Sequence, residues 1–241
     1  MPDIDLLNRF VNYVRVNKLF TPDNLLILAV SGGVDSVVLA DLCKKAGFRF
    51  AIAHVNFNLR EKESERDELF VRKLAAEAGV NIMVKEVDTS AYASMHNLSI
   101  QVAARVLRYE WFELLREQHA IDNVGGRGKC FIVTAHHMDD SVETMLMNLF
   151  RGTGITGLKG ILPKQGHIVR PILGFTKNEI VAYASARGLQ WVEDSSNQLD
   201  KYTRNYFRNQ LIPMLRKIYP QVDENLYHNL HRFQDAAMLY R

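Results

Sequence analysis

Cysteine is scarce in this sequence: Cys43 and Cys130 stand far apart, without the close spacing of a zinc or redox motif. Two separated thiols fit a reducing compartment, so we predict a cytoplasmic protein. Long apolar runs are also lacking, which argues against a membrane-spanning helix, and the first residues do not resemble a signal peptide. The 241 residues carry a net charge of only +3, so overall charge neither requires nor excludes a nucleic-acid partner.

A glycine-rich turn lies between the apolar run at residues 25–30 and an amphipathic stretch that ends at Gly47. Such a strand–turn–helix unit presents backbone N–H groups and a helix N-terminus to an anion. The turn has no Gly-Lys-Ser/Thr ending, and an acid stands where a lysine would be expected, which indicates a polyphosphate bridged by Mg²⁺. The alternative is an ordinary turn. The glycine-rich turn consists of six residues, and we expect both of its glycines to have positive φ. They are Ser31, Gly32, Gly33, Val34, Asp35 and Ser36.

Four apolar runs alternate with helical stretches, which predicts an α/β fold with a doubly wound parallel sheet. The predicted strands are residues 25–30, 50–57, 81–88 and 130–135, with a short fifth at 167–173. His54 and Asn56 end the second strand, where ligands gather in open α/β sheets. Residues 89–98, 122–129, 151–166 and 191–200 are predicted as loops. A helical C-terminal region follows, interrupted by Pro213.

An acidic cluster follows the fourth strand and opens a helix. Asp139 or Asp140 shares a helix face with Glu143, at three- or four-residue spacing. These acids could hold magnesium, bind an ammonium group or accept a proton. Solvated surface acids are the alternative, and zinc at His136 and His137 is less expected because no cysteine pair accompanies them.

Two basic clusters complete the candidate site. Arg105 and Arg108 lie on one face of a predicted helix, as phosphate-binding arginines do, although surface arginines with buried stems are the alternative. Arg204 and Arg208 share a later helix face with Lys201 and have Tyr202 nearby. Interleaved basic and aromatic side chains suit an RNA backbone with stacked bases, and a solvated charged face is the alternative.

The turn resembles the S-G-G-x-D-S loop of the ATP pyrophosphatase superfamily, which cleaves ATP between the α and β phosphates. Together the clusters resemble the tRNA(Ile)-lysidine synthetase family, which has motifs matching residues 31–36, 54–60, 104–109, 135–144, 151–160, 193–197 and 204–208. Phe57 stands where that family usually has histidine, and Ser141 where it has glutamine. Neither position is assigned a role.

The resemblance implies ligation of free L-lysine to the wobble cytidine of a tRNA(Ile) with a CAU anticodon, with ATP as substrate and Mg²⁺ held at Asp35. It implies catalysis by Asp35, Arg105, Asp139, Asp140 and Glu143. The cradle residues above and His54 would bind the nucleotide. The resemblance also implies RNA or substrate contacts by Arg108, Arg151, Arg204, Asn205 and Arg208.

The resemblance also divides the chain. Residues 1–212 would form the catalytic domain, and residues 213–241 would begin a connector to a C-terminal region absent from this chain. A homodimer is left open. Alternatives are 2-thiolation of tRNA, for which paired cysteines are usual, an amide synthetase of the same superfamily, and a regulator that binds ATP without turnover.

Overall fold

The computed structural model describes residues 2–59, 61–122, 128–193 and 203–239. Several predicted features fall outside these ranges, namely Arg60, most of the 122–129 connector, residues 194–197 of the late acidic motif, and Lys201 with Tyr202. Within the described parts, no helix combines the length and apolarity needed to cross a bilayer.

A six-stranded sheet organises the described residues, in the order β3-β2-β1-β4-β6-β5. All neighbouring strands are parallel except the β5–β6 pair, which is antiparallel. The predicted doubly wound parallel sheet is therefore confirmed, with an antiparallel hairpin added at one edge. The strands are β1 (Leu25–Ala29), β2 (Phe50–Asn56), β3 (Ile82–Glu86), β4 (Cys130–Val133), β5 (Lys164–Gln165) and β6 (Ile168–Val169).

Helices connect the strands and form the C-terminal region. They are α1 (Pro2–Val16), α2 (Val34–Lys45), α3 (Glu61–Ala78), α4 (Thr89–Met95), α5 (Ile100–Asp122), α6 (Met138–Arg151), α7 (Ile155–Leu158), α8 (Lys177–Ala186), α9 (Thr203–Tyr206), α10 (Ile212–Ile218) and α11 (Val222–Leu239). A π-helical turn, Phe207–Leu211, joins α9 to α10. The predicted break near Pro213 is thus a widened turn, with the proline at the start of α10.

The sheet is buried on both faces because successive side chains of a strand point to opposite sides. Leu26 and Leu28 of β1 pack in the cluster that includes α1, α2, α3 and α8, whereas Ile27 packs against Trp111 and Phe112 of α5. The central strands therefore need apolar residues at every position, which explains the continuous apolar run.

Two predictions about loops are wrong. Residues 89–95 form α4, because the Asp88 side chain accepts a hydrogen bond from the Ala91 N–H at 2.8 Å and caps the helix. The predicted 151–166 loop contains α7 and β5, and the fifth strand shortens to β6. The division at residue 212 stays a prediction, and that position is the first residue of α10.

A third apolar cluster joins α11 to α6. It contains Val142 and Met145 of α6, Phe207 of the π-helical turn, and Leu230 of α11. Because α6 also carries the acidic cluster, α11 packs behind the candidate site. The C-terminal helix is therefore part of the support of that site.

Leu230→Ala is expected to lower the free energy of unfolding by about 2–5 kcal/mol, since it removes a buried side chain from a packed cluster. Leu239→Ala, on the same helix but 87% exposed, is the matched control and should change stability little. Urea unfolding of both variants measures the difference. Equal, small effects would show that α11 does not share the folding unit.

Candidate active site

The glycine turn connects β1 to α2 at the carboxyl end of β1. The chain turns to opposite sides of the sheet between β1 and β4, and this switch point is where open α/β sheets bind ligands. Gly32 has φ +93°, and a Cβ added there would lie 2.6 Å from Val192 Cγ2. Glycine is therefore required by both conformation and space. Gly33 was predicted at positive φ and is not: it has φ −69° and precedes α2 as its N-cap.

Serine hydroxyls hold the turn in shape. Ser36 Oγ donates to the Gly33 carbonyl at 2.9 Å and accepts from the Gly32 N–H at 3.2 Å. From outside the turn, the Val192 N–H donates to the Gly32 carbonyl at 3.0 Å. The anion cradle is thus braced before any ligand arrives.

A cleft of about 360 Å³ opens beside the turn, within the size range of small-molecule sites. Its lining combines apolar residues, such as Ala29, Val30 and Val55, with a set of polar ones. An apolar slot that ends in an anion cradle suits a flat base attached to phosphates. The polar lining residues are Ser31, Asp35, Ser36, Arg108, Tyr109, Thr134, His136, Asp140 and Arg204.

Asp35, in the first turn of α2, makes a close ion pair with a lysine from α8. Lys177 Nζ donates to both Asp35 oxygens, at 2.7 and 2.8 Å. The Lys177 backbone N–H donates to Asp139 Oδ2 at 2.8 Å, which links α8 to α6. Burial opposes ionisation of Asp139, but the nearby His137 and this N–H prevail and lower its pKa to about 2.

His137 lies among three carboxylates. Its ring nitrogens are 3.4 Å from Asp139, 3.5 Å from Asp140 and 3.9 Å from Asp35. Burial works against its protonation, yet these acids prevail and raise its pKa. His137 therefore links the glycine turn electrostatically to the acidic cluster.

Asp140 and Glu143 share one helix face, as predicted, and both meet Arg208. Arg208 Nε donates to Glu143 Oε1 at 2.6 Å, and its Nη2 donates to Asp140 Oδ1 and Glu143 Oε2 at 3.0 Å each. Burial raises the pKa of Glu143, and the pair with Arg208 offsets part of that rise. Arg204 Nη2 donates to Thr144 Oγ1 at 2.8 Å on the same helix.

A second cavity, about 540 Å³, lies on the other side of the acidic cluster. It is bounded by α1, α6, α8, α10 and α11, and its lining includes Asp139, Glu143, Lys177 and Arg208. The two cavities are neighbours, because Asp35 lines the cleft and its ion-pair partner Lys177 lines the second cavity.

The remaining predicted residues differ in whether they line the cleft. Arg108 lines it and stacks 4.9 Å from the centre of the Phe57 ring, whereas Arg105 stacks on Tyr109 and is exposed. His54 lies beneath the turn, where its Nδ1 donates to the Val30 carbonyl at 2.8 Å. Burial lowers the His54 pKa, so the ring braces β2 against β1 in neutral form. Two others, Arg151 at the end of α6 and Asn205 in α9, are not lining residues of either cavity.

Ser141 supports the glycine-rich segment that follows α6. Its Oγ accepts from the Ile161 N–H at 2.9 Å, and Gly160 comes so close that an added Cβ would lie 2.5 Å from the same oxygen. With φ +62°, Gly160 is also in the left-handed region. The serine found at this motif position thus has a structural role.

Sequence reasoning missed Lys177 and His137. A signal for Lys177 exists in the sequence, because Thr176 and Glu179 have the spacing of a capping box, which marks a helix start after the edge strands. Helices that follow parallel strands begin at the same sheet edge as the glycine turn. The first cation of that helix was therefore a candidate for the site.

Asp35 also fits the Mg²⁺ expected there. Mg²⁺ is usually held by one or two carboxylates together with phosphate oxygens and water. The Asp35 side chain is 27% exposed at the turn, where a polyphosphate would supply the other oxygens. Among the described residues, no group of three or more His, Cys, Asp and Glu side chains has the arrangement of a metal cage.

Comparison with protein families gives a match to the PP-loop domain over residues 7–215. A tRNA(Ile)-lysidine synthase of Bacteroides thetaiotaomicron is 44% identical over 96% of this chain and 53% of its own length. Another, from Petrotoga mobilis, is 34% identical over 92% of this chain and 70% of its own length. The chain thus spans about half the length of the Bacteroides relative.

Solved structures share the fold at low sequence identity. A U34-tRNA thiolase of Methanococcus maripaludis superposes with a TM-score of 0.69 at 15% identity, over 95% of this chain and 78% of the thiolase. An NH₃-dependent NAD synthetase of Campylobacter jejuni gives 0.51 at 19% identity, over 97% and 93% of the two chains. Because these proteins differ in chemistry, the likeness identifies the fold alone.

Asp139→Asn should lower the free energy of unfolding by roughly 1 kcal/mol at about pH 6, after allowance for partial exposure. The folded pKa, about 2, is below the reference value of 3.8. The stabilisation is therefore complete above the reference value and is lost as pH falls towards the folded one. In urea titrations, the difference in unfolding free energy between wild type and variant should therefore be smaller at about pH 3 than at about pH 6.

The exposed acid Asp5 provides the control for this measurement. Asp5→Asn changes the same chemical group on α1, where the side chain is 71% exposed. Its effect should be small at both pH values. If the difference in unfolding free energy caused by Asp139→Asn is the same at both pH values, the assigned charge state of Asp139 is wrong.

Proposed function

Since the chain belongs to the PP-loop domain family and, within it, to the tRNA(Ile)-lysidine synthases, we propose that it converts cytidine to lysidine. ATP would activate the wobble cytidine of a tRNA(Ile) with a CAU anticodon, and free L-lysine would replace AMP. The observation that carries this proposal is the acidic cluster between two cavities. Asp140 lines the cleft beside the turn, and Glu143 lines the second cavity.

ATP binds in the cleft with its base against the apolar wall and its β and γ phosphates at the turn. Backbone N–H groups at the start of α2 and the helix dipole favour the negative charge there. The Ser31 hydroxyl, 3.5 Å from Ser36 Oγ, can turn to the phosphates, while Ser36 keeps the bonds to Gly32 and Gly33 that shape the turn. The α phosphate then lies towards β4 and the acidic cluster.

The first step makes an adenylate. The C2 oxygen of cytosine attacks the α-phosphorus, the bond to the β-phosphate oxygen breaks, and pyrophosphate leaves. A carbonyl oxygen is a poor leaving group, and this step converts it into a good one. Asp35 would hold Mg²⁺, which would supply electrostatic stabilisation of the leaving pyrophosphate. Backbone N–H groups of the turn hold the same oxygens.

The second step needs lysine as a free amine. The ε-amine attacks C2 of the activated cytosine, and AMP leaves with the former C2 oxygen. One proton must be removed from the ammonium form before attack, and Glu143 is suited to accept it because burial raises its pKa. Asp139 and Asp140 position the ammonium. Since Arg208 already contacts Asp140 and Glu143, lysine must share or displace that contact.

RNA approaches along the cationic side of the cleft. Arg108 and Arg204 line it, and Arg105 stacks on Tyr109 at the next turn of α5. Guanidinium groups of this kind contact phosphate or stack on an unpaired base. Arg151 and Asn205 are proposed as further RNA contacts from the ends of α6 and α9, and a dimeric assembly stays a prediction.

The thiol chemistry favours ligation over 2-thiolation. Cys43 and Cys130 are both buried, and burial raises the pKa of each, that of Cys130 to about 11. Neither thiol is available as the thiolate that sulfur transfer requires. Buried free thiols also fit the cytoplasm, where we place the reaction.

The proposal is tested by incubating the chain with ATP, Mg²⁺, L-lysine and tRNA, then digesting the RNA and weighing its nucleosides. A cytidine heavier by one lysine minus one water is expected, together with AMP. Sulfur incorporation, or an adenylated small molecule formed without RNA, would instead support one of the other superfamily reactions.

Asp35→Ala should lower the rate of ATP cleavage by about 10²- to 10³-fold or more, because the leaving pyrophosphate loses its metal-holding group. Release of radiolabelled pyrophosphate in the presence of tRNA measures this step. Asp5→Ala, at an exposed acid of α1, serves as control and should retain the wild-type rate. Near-normal release by Asp35→Ala would count against the assignment of Asp35.

Glu143→Gln should separate the two steps. Pyrophosphate release should continue, while lysine-dependent AMP release should fall by about 10²- to 10⁴-fold, since the proton acceptor is lost. Glu117→Gln, on α5 and exposed, is the control. Quench-flow measurement of both products decides the matter, and an equal loss in both steps would remove Glu143 from the second.

A further inference from the structure

The glycine turn contains no lysine in sequence, yet a lysine stands beside it in space. Lys177, 142 residues from Asp35 along the chain, directs its Nζ to both carboxylate oxygens. Its side chain is 38% exposed and lines the second cavity. The site therefore contains the cation that the turn itself lacks.

The position of Lys177 is fixed by its backbone. It is the first residue of α8, and its N–H is bonded to Asp139. One residue earlier, Thr176 and Glu179 form a reciprocal capping box, with bonds of 2.8 Å from the Thr176 N–H and 3.2 Å from the Glu179 N–H. A flexible side chain thus extends from a rigid helix start towards the turn.

The contact with Asp35 conflicts with metal binding. The ammonium lies 2.7 and 2.8 Å from the two Asp35 oxygens, so although each oxygen keeps a further lone pair, a positive charge stands next to the position that Mg²⁺ would take. Repulsion between the two cations therefore favours movement of Lys177 away from Asp35 when the metal is loaded with ATP. The freed ammonium is then close to the anion cradle, where the β and γ phosphates offer it acceptors.

We infer that Lys177 is the phosphate-binding lysine of this site, contributed by the start of α8 instead of by the glycine turn. Without nucleotide it neutralises Asp35, and with nucleotide it contacts the terminal phosphates while Asp35 turns to the metal. The inference rests on the proposed function in one respect, namely that ATP binds at the turn.

Lys177→Gln tests it, because glutamine can still hydrogen-bond Asp35 but carries no charge. Isothermal titration with Mg²⁺ and α,β-methylene-ATP, which resists cleavage at the relevant bond, should show affinity lowered by about 10- to 100-fold. The affinity for inorganic pyrophosphate should fall by a similar factor, whereas the affinity for AMP should equal that of the wild type. Lys177→Arg should restore most of the affinity.

The control is Lys73→Gln on α3, where the lysine is 76% exposed and pairs only loosely with Glu77 at 3.8 Å. Thermal midpoints of all variants establish that each is folded. The inference is overturned if Lys177→Gln binds α,β-methylene-ATP within about twofold of wild type, or if AMP affinity falls equally. A wild-type chain that binds no triphosphate would instead overturn the proposed function.

Discussion

A row of alternating charges crosses the carboxyl edge of the sheet, and the arrangement of the site depends on it. It runs from Lys177 to Asp35, through His137 to Asp140, and on to Arg208 and Glu143. Asp35 and Asp140 are partly buried and Glu143 almost completely, so each negative charge would be costly alone and is stabilised by a neighbouring cation. These ion pairs thereby hold together elements that are distant in sequence, at the switch point between β1 and β4.

The C-terminal helices contribute chemistry as well as packing. Arg208 lies in the π-helical turn, and Phe207 beside it packs into the cluster of Leu230 and α6. The wider turn allows one side of the segment to be buried while a neighbouring guanidinium reaches the acids. Packing of α11 therefore determines where Arg208 stands, and a loss of that packing would act on catalysis through the position of one cation.

The sequence was sufficient for the sheet but not for its electrostatic partners. Continuous apolar runs predicted the central strands, and the sequence also marks the end of α3, because Gly79 directly follows its charged helical stretch. The short helix α4 was missed because its start depends on a single Asp88 side chain, and β6 is too short for an alternation pattern. A local pattern marks the start of α8 and so makes Lys177 a candidate, but its contact with Asp35 spans 142 residues and is visible only in the fold.

The fold cannot by itself decide the reaction, since a thiolase and an NAD synthetase share it. The decision comes from groups outside the turn. A nucleophile that arrives as an ammonium ion is attracted by the acids around Glu143, but it reacts only after losing a proton. Arg208 already neutralises part of the charge of these acids. The repulsion between the neighbouring carboxylates is therefore offset before an ammonium ion arrives. In the proposed reaction, exchange of Arg208 for the incoming ammonium at a fixed acidic cluster would let the site remain ordered without lysine and still receive it.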